Sequence, residues 1–176
     1  MKIYLAGPLG FSEVGRAFHS GTIVPAVKRL GYVPFDPWSG EPPPGVSPRL
    51  ADEIVKVAAE VKAVQAIRDD AKKPDAWRKL NPRIGAKNAA LIDEADMVFA
   101  VLDGTDVDSG TAAEIGYAFA KGKRIVGYRG DFRLSADNEG SKVNLQVEYF
   151  ITASGGSILT QFDDGSLAKA LAPIRR

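Results

Sequence analysis

The chain has 176 residues, enough for one sizeable domain and short for two. Apolar residues make up 45% and charged residues 26%, the formal net charge is +1, and there is no cysteine. This composition argues against nucleic-acid binding and excludes disulfide bonds, thiolate metal sites and a thiol nucleophile. No apolar run approaches the ~20 residues that cross a bilayer, so we expect a cytoplasmic protein without membrane association.

Short apolar runs alternate with segments of helical periodicity along the chain. The runs predict strands at Lys2–Ala6, Tyr32–Phe35, Met97–Leu102, Arg124–Tyr128 and Ser157–Leu159. The periodic segments predict helices at Ser12–Leu30, Ser47–Ala71, Arg83–Asp93, Thr111–Lys121, Val143–Ile151 and Ser166–Leu171. The remaining segments are predicted connectors, notably Asp36–Gly45, Asp75–Leu80 and Asp131–Lys142.

This alternation predicts an α/β fold in which helices cover both faces of a five-stranded parallel sheet. We expect a single doubly wound domain of the flavodoxin-like or Rossmann-like kind. Ligands of such sheets bind beyond the carboxyl ends of the strands, at the point where the strand order reverses. The segments Gly7–Gly10 and Asp103–Gly110 follow strands one and three, and we expect them to face one cavity.

Glu114 is the main candidate for catalysis. If Thr111 is the N-cap of its helix, Thr111-Ala-Ala-Glu114 is a capping box, in which the glutamate binds the amide of the cap residue. The same geometry places a carboxylate near a helix N-terminus, which favours negative charge and suits a nucleophile. The spacing alone leaves both interpretations open.

The loop before Glu114 is rich in acids. Asp108 is predicted either to bind nearby amides or to accept hydrogen bonds from the hydroxyl groups of a sugar. Gly110 either lets the backbone approach a ligand or serves only the turn. Asp103 is less distinctive, and Asp106 is predicted to be solvated. Loop carboxylates can bind magnesium, but no phosphate-binding loop accompanies them, so we expect no required metal.

Other chemically distinctive side chains lie near the N-terminus. His19, the only histidine, is predicted to have a surface or packing role, which leaves a Ser-His-Asp triad unsupported. Tyr4 and Phe11 are predicted core residues. An aromatic side chain at the cavity mouth could instead stack on a planar base.

Four segments of the chain resemble the nucleoside 2-deoxyribosyltransferase family. They are Ile3–Leu9, Asn88–Asp96, Asp103–Lys123 and Val143–Leu145, of which the third is the most specific. Residues 41–80 match least clearly, and we expect them to be a variable helical cover within one domain spanning residues 1–176. The resemblance implies a retaining reaction in nucleoside salvage, in which a deoxyribosyl group passes from a 2'-deoxynucleoside to another nucleobase without a cofactor.

The resemblance also implies roles for individual residues. Glu114 aligns with the family's nucleophile, Asp108 with an aspartate that holds sugar hydroxyls, and Tyr4 falls near a tyrosine of the first strand. Asn144 aligns with an asparagine that reaches the sugar from a neighbouring subunit, which implies a homo-oligomer. The implied partners are nucleosides and nucleobases. The predicted substrate-binding residues are Tyr4, Gly7, Leu9, Phe11, Asn88, Asp103, Gly110 and Asn144.

The donor of a proton to the leaving base stays unassigned. Some family members have an aspartate where this chain has Asn88, and an amide cannot supply a carboxyl proton. Asp36 and Asp103 remain as candidates.

Two other functions stay open. A hydrolase of nucleoside 5'-monophosphates would use the same glutamate with water as the acceptor, and Ser12 and Arg16 could bind the phosphate. The pair Pro8-Leu9 favours the transferase. A non-catalytic nucleotide-binding protein of the same fold would use its acids only as helix caps.

Overall fold

The computed structural model describes residues 1–133 and 136–173. Its five strands pair in parallel in the order β2-β1-β3-β4-β5. They are β1 (Lys2–Ala6), β2 (Val33–Phe35), β3 (Met97–Val101), β4 (Arg124–Tyr128) and β5 (Ile158–Leu159). This strand order is the flavodoxin-like one, so the prediction of a doubly wound parallel sheet is confirmed.

Helices connect the strands and cover both faces of the sheet. They are α1 (Glu13–Phe18), α2 (Val24–Arg29), α3 (Pro48–Gln65), α4 (Lys73–Glu94), α5 (Ser109–Ala120), α6 (Leu145–Ala153) and α7 (Asp164–Leu171). A π-helical segment, His19–Ile23, joins α1 to α2, and a 3-10 turn, Pro8–Phe11, follows β1. Among the described residues, no helix is long and apolar enough to cross a bilayer.

Alternating side chains of the strands build two hydrophobic cores. On β1, Tyr4 and Ala6 contribute to the core beneath α3, α4, α5 and α6, whereas Ile3 and Leu5 contribute to the core beneath α1, α2 and α7. Successive residues of a strand point to opposite faces, and both faces are covered here. Each fully buried large apolar side chain contributes roughly 1.5–3 kcal/mol to the stability of the fold.

The residues before α1 and after α2 end the first helical region as the sequence predicts. The side chain of Ser12 accepts a hydrogen bond from the Gly15 amide and caps α1, as predicted. Gly31 follows α2 with a φ of +81°, a conformation that glycine adopts without steric cost.

The predicted connector Asp75–Leu80 is wrong, because α4 already begins at Lys73. Pro82 lies inside this helix, and a proline within a helical pattern ordinarily marks a helix end. Packing against α3 overrides that signal. Leu80 is buried, and the side chain of Arg83 donates hydrogen bonds to Glu53 and Glu60 of α3. Residues 41–80 thus contain α3 and the first part of α4.

The pairing of β1 with β3 brings two loops to one edge of the sheet. Ala6 lies opposite Ala100, so both strands end at the same level. The turn after β1 and the loop that leads from β3 into α5 therefore share the carboxyl edge, where the strand order reverses.

Candidate active site

Glu114 lies in the second turn of α5 and is hydrogen-bonded to two other elements. The Tyr4 hydroxyl of β1 donates to Glu114 Oε1 over 2.5 Å, and Asn88 Nδ2 of α4 lies 3.5 Å from the same oxygen. Within residues 1–133 and 136–173, no hydrogen bond reaches Glu114 Oε2. One carboxylate oxygen is therefore anchored, and the other is free to react.

The surroundings of Glu114 change its acidity. Burial, together with the charge of Asp108, raises the pKa of Glu114 to about 6, although Tyr4, Asn88 and Lys87 act in the opposite direction. Burial disfavours the charged form of a carboxyl group, whereas donors and cations favour it. Glu114 is thus a carboxylate near neutral pH and is protonated in mildly acidic solution.

The predicted capping box is wrong. Helix α5 begins at Ser109, and its N-cap is Asp108 rather than Thr111. Glu114 is therefore too far along the helix to bind the cap amide, and it bonds Tyr4 instead. The helix N-terminus does not explain its charge state either, because that effect fades beyond the first turn.

Asp108 acts as a helix cap. Its Oδ2 atom accepts hydrogen bonds from the Thr111 amide at 2.9 Å and from Thr111 Oγ1 at 3.1 Å. The interpretation of Asp108 as an acid that binds nearby amides is therefore confirmed. Among residues 1–133 and 136–173 no hydrogen bond ends on Asp108 Oδ1, so this oxygen can accept a hydrogen bond from a ligand. Gly110 lies exposed in the first turn, beside this carboxylate.

Asp103 connects two loops at the sheet edge. Its Oδ1 atom accepts hydrogen bonds from the amides of Gly130 at 2.7 Å and Asp131 at 2.9 Å. Asp103 thus joins the loop after β3 to the loop after β4. Asp106 is exposed, as predicted, and its side chain binds the Val107 amide.

Tyr4 and Phe11 have different surroundings. Tyr4 is fully buried, as predicted for a core residue, and burial together with the charge of Glu114 raises the pKa of its hydroxyl far above the usual range. Phe11 is 73% exposed, so the prediction that it belongs to the core is wrong.

Phe11 forms an exposed aromatic pair with Trp38. The two rings meet edge to face with centroids 4.9 Å apart. Trp38 covers Gly10, where an added Cβ atom would lie 2.1 Å from the indole ring, so the close approach requires glycine. Phe11 belongs to the turn after β1, which also contains Gly7 and the half-buried Leu9, whereas Trp38 belongs to the loop after β2.

His19 and Lys87 are buried and the side chain of Asp36 is 12% exposed, and the sequence did not predict that these three polar groups lie together. Lys87 Nζ donates to the Pro37 carbonyl over 2.9 Å, and His19 Nε2 lies 3.0 Å from Asp36 Oδ2 without the alignment of a hydrogen bond. Leu80, Lys87 and Leu91 recur at helical spacing on the buried face of α4. That spacing was a signal for the burial of Lys87.

Asn144 lies at the start of α6. Its Oδ1 atom accepts hydrogen bonds from the Gln146 and Val147 amides, so Asn144 is the N-cap of that helix. Within the described part of this chain, no hydrogen bond joins Asn144 to Glu114 or Asp108. Across residues 1–133 and 136–173, no group of three His, Asp or Glu side chains is placed to hold a metal ion.

A model of the nucleoside 2-deoxyribosyltransferase family matches residues 3–146. The chain belongs to this family. The matched residues include Tyr4, Asn88, Asp108, Glu114 and Asn144, so the site described above lies within the region that defines the family. A comparison with curated protein sequences finds no significant match.

Solved structures share the family fold. A conserved protein from Enterococcus faecalis V583 is 22% identical with a TM-score of 0.60, and the alignment covers 97% of this chain and 96% of that one. A 2-desoxiribosyltransferase from Leishmania mexicana is 21% identical with a TM-score of 0.59, covering 97% and 99%. A 2-deoxyribosyltransferase from Bacillus psychrosaccharolyticus is 20% identical with a TM-score of 0.57, covering 96% and 90%. At such identities the likeness concerns the fold.

Proposed function

We propose that this protein is a nucleoside 2-deoxyribosyltransferase. It cleaves the N-glycosidic bond of a 2'-deoxynucleoside and transfers the deoxyribosyl group to another nucleobase through a covalent bond to Glu114. The observation that carries the proposal is the Glu114 carboxylate, anchored at Oε1 by Tyr4 and free at Oε2. The family match over residues 3–146 supports it.

The chemistry requires a fixed, ionised carboxylate. Glycosyl transfer passes through an oxocarbenium-like state, and in a retaining reaction a carboxylate bonds to the anomeric carbon before the acceptor displaces it. Glu114 Oε2 attacks C1' as the bond to the first base breaks, and the electron pair of that bond leaves with the base. The second base then attacks C1' and releases Glu114. Two inversions retain the configuration of the sugar.

Other residues of the site bind the substrate in this proposal. The second oxygen of Asp108 accepts a hydrogen bond from a sugar hydroxyl, close to the helix that carries Glu114. The exposed rings of Phe11 and Trp38 offer a stacking surface for a planar base. Asp103 is already bonded to two backbone amides, so it supports the loop rather than supplying a proton.

We also propose that the enzyme is a homo-oligomer in which Asn144 reaches the site of a neighbouring subunit. Leu145 and Tyr149 of α6 are each more than half exposed, which supports a contact along this helix. A cytoplasmic location stays a prediction from the sequence.

The hydrolase alternative depended on Ser12 and Arg16 as a phosphate site. In the structure Ser12 caps α1, and Arg16 Nη1 donates to the Gly10 carbonyl over 3.0 Å. Both side chains therefore have partners within the protein, which favours transfer over hydrolysis of a phosphorylated substrate.

The decisive experiment is base exchange. The protein is incubated with a 2'-deoxynucleoside and a different free base, across purine and pyrimidine pairs, and the products are separated by chromatography. We expect a new deoxynucleoside from the wild type and none from Glu114→Ala or Glu114→Gln. Release of free sugar without exchange would instead indicate hydrolysis.

Two further measurements complete this test. Mass spectrometry of enzyme quenched during turnover should show one deoxyribosyl adduct on the peptide that contains Glu114. Circular dichroism should show that both variants keep the fold. Exchange by a correctly folded Glu114→Ala protein would disprove the assignment of the nucleophile.

A further inference from the structure

Lys87 is an unusual buried cation. Its side chain lies on the inner face of α4, the residue is 7% exposed, and its hydrogen bond goes to the neutral Pro37 carbonyl. None of the ion pairs among the described residues includes Lys87. A buried ammonium without a compensating charge is strongly destabilising, so its presence calls for negative charge nearby.

Two carboxylates interact electrostatically with Lys87. Asp36 directly precedes Pro37, whose carbonyl receives the lysine hydrogen bond, and Glu114 is contacted by Asn88, the next residue along α4. The charges of Asp36 and Glu114 both favour the protonated lysine, while burial lowers the pKa of Lys87. Lys87 therefore interacts electrostatically with the predicted nucleophile and with Asp36, whose side chain is 12% exposed.

The groups that face Glu114 come from three elements. Tyr4 of β1 donates a hydrogen bond, and α4 contributes Asn88 and Lys87. Asp108, at the start of α5, adds a second negative charge that raises the pKa of Glu114. Helix α6 packs against α5 through an apolar contact, in which Phe150 lies beside Gly116. Among these residues, Lys87 is the positively charged one, and its charge lowers the pKa of Glu114.

We propose that Lys87 is a positioning residue that balances the charges of Asp36 and Glu114 and keeps Glu114 in its carboxylate form. Its ammonium group, held on the Pro37 carbonyl, offsets part of the repulsion between Glu114 and Asp108. The catalytic meaning of this role rests on the proposed function, since only the carboxylate attacks the sugar. The electrostatic role itself does not depend on turnover.

The test compares variants that remove the charge at position 87. Lys87→Met and Lys87→Gln both lose the ammonium, Lys87→Arg keeps a cation, and Lys79→Met removes an exposed lysine from the same helix as a control. Replacing a buried charge by an apolar side chain of similar size is often tolerated, so we expect Lys87→Met to fold. Thermal melts check this for every variant.

The first readout is the titration of Glu114 itself. Carbon-13 labelling of the glutamate carboxyl groups, with Glu114→Gln to assign the signal, gives the pKa of Glu114 by NMR without any substrate. We expect Lys87→Met and Lys87→Gln to raise this pKa by about half a unit or more, because an opposite charge nearby favours the ionised form. Lys87→Arg and Lys79→Met should leave it within about 0.2 units.

The second readout is the pH profile of kcat/KM for base exchange. In Lys87→Met and Lys87→Gln the acidic limb should move to higher pH as the pKa of Glu114 rises. The basic limb should stay at the same pH. An unchanged pKa of Glu114 in both variants would overturn the proposal. So would loss of the basic limb with an unmoved acidic limb, since Lys87 would then donate the proton itself. If the NMR shift appears and the wild type exchanges no base, the proposed function fails and the role of Lys87 stands.

Discussion

Glu114 combines two opposing demands in one side chain. Catalysis in the proposed mechanism needs an ionised carboxylate, but the packing of α5 against β1 removes water from it and raises its pKa to about 6. The Tyr4 hydroxyl, 2.5 Å from Oε1, offsets part of that penalty and also sets the orientation of the carboxylate. The Glu114 carboxylate is therefore fixed in place at some cost in stability.

The raised pKa of Glu114 predicts how the free energy of unfolding depends on pH. The pKa of Glu114 is about 6 in the folded protein, against 4.5 for an ordinary glutamate. A group whose folded pKa is raised stabilises the fold fully at pH values below the unfolded pKa, and this contribution is lost as the pH rises through the folded pKa. We therefore expect the free energy of unfolding of Glu114→Gln to match that of the wild type near pH 4.5. Above pH 7 it should be larger than that of the wild type by about 1–2 kcal/mol.

Urea unfolding of Glu114→Gln and of the wild type at several pH values checks this prediction. Gln keeps an oxygen that accepts from Tyr4, so the comparison isolates the charge. Glu139→Gln, at an exposed position, is the matched control for the loss of one negative charge. A difference in stability that stays the same from pH 4.5 to pH 8 would contradict the prediction.

At the scale of secondary structure, α5 connects its N-cap, Asp108, with the proposed nucleophile, Glu114. Asp108 closes the helix N-terminus through Thr111, and one and a half turns later the same helix presents Glu114 to β1. A cap residue satisfies amides that would otherwise lack partners at the start of the helix. The position of the nucleophile therefore depends on a residue that is also predicted to bind the sugar.

Two substitutions separate these two roles of Asp108. Asparagine caps helices about as well as aspartate, whereas alanine does not cap. We expect Asp108→Ala to lower the free energy of unfolding by about 1 kcal/mol, and Asp108→Asn to change it by less than about 0.5 kcal/mol. Both should raise KM or lower kcat/KM for a deoxynucleoside, because both lack the carboxylate.

Chemical denaturation and steady-state kinetics on the same samples test this. Wild-type kinetics in a stable Asp108→Asn protein would restrict Asp108 to capping. Equal losses of stability in both variants would show that the carboxylate charge, rather than the capping hydrogen bonds, stabilises α5.

For the whole molecule, the sheet topology gathers residues that are distant in the sequence. Tyr4 and Glu114 are separated by 110 positions, and parallel pairing of β1 with β3 brings their elements together. Asn144, at the start of α6, is reached by no hydrogen bond from Glu114 within the described chain. The contact of Asn144 with the sugar in a neighbouring subunit is a proposal from the family resemblance.

Subunit complementation tests that arrangement. We expect Glu114→Gln and Asn144→Ala each to be nearly inactive, and mixed oligomers of the two to regain up to about a quarter of wild-type activity, the share that random pairing of a dimer allows. Asn144→Asp retains an oxygen cap on α6 and controls for the effect of the cap. Light scattering gives the oligomer size. A monomeric enzyme with full exchange activity would rule out a shared site.

The sequence alone predicted the five strands, most of the helices and the clustering of acids at one edge of the sheet. These features follow from local physics: apolar alternation, helical periodicity and turn residues such as Gly31 act over a few neighbours. The resemblance to the family rested on the same local segments, and it singled out Glu114 and Asp108.

Only the tertiary structure decided the features that depend on distant contacts. Packing of α3 against Leu80 and Arg83 extends α4 through a predicted connector and past Pro82. Burial against β1 gives Glu114 the Tyr4 hydroxyl as its partner, in place of the capping box that the spacing allowed. The same packing buries Lys87 beside Pro37, next to Asp36. Burial and long-range hydrogen bonds arise only when elements meet, so no local pattern specifies the electrostatic surroundings of the nucleophile.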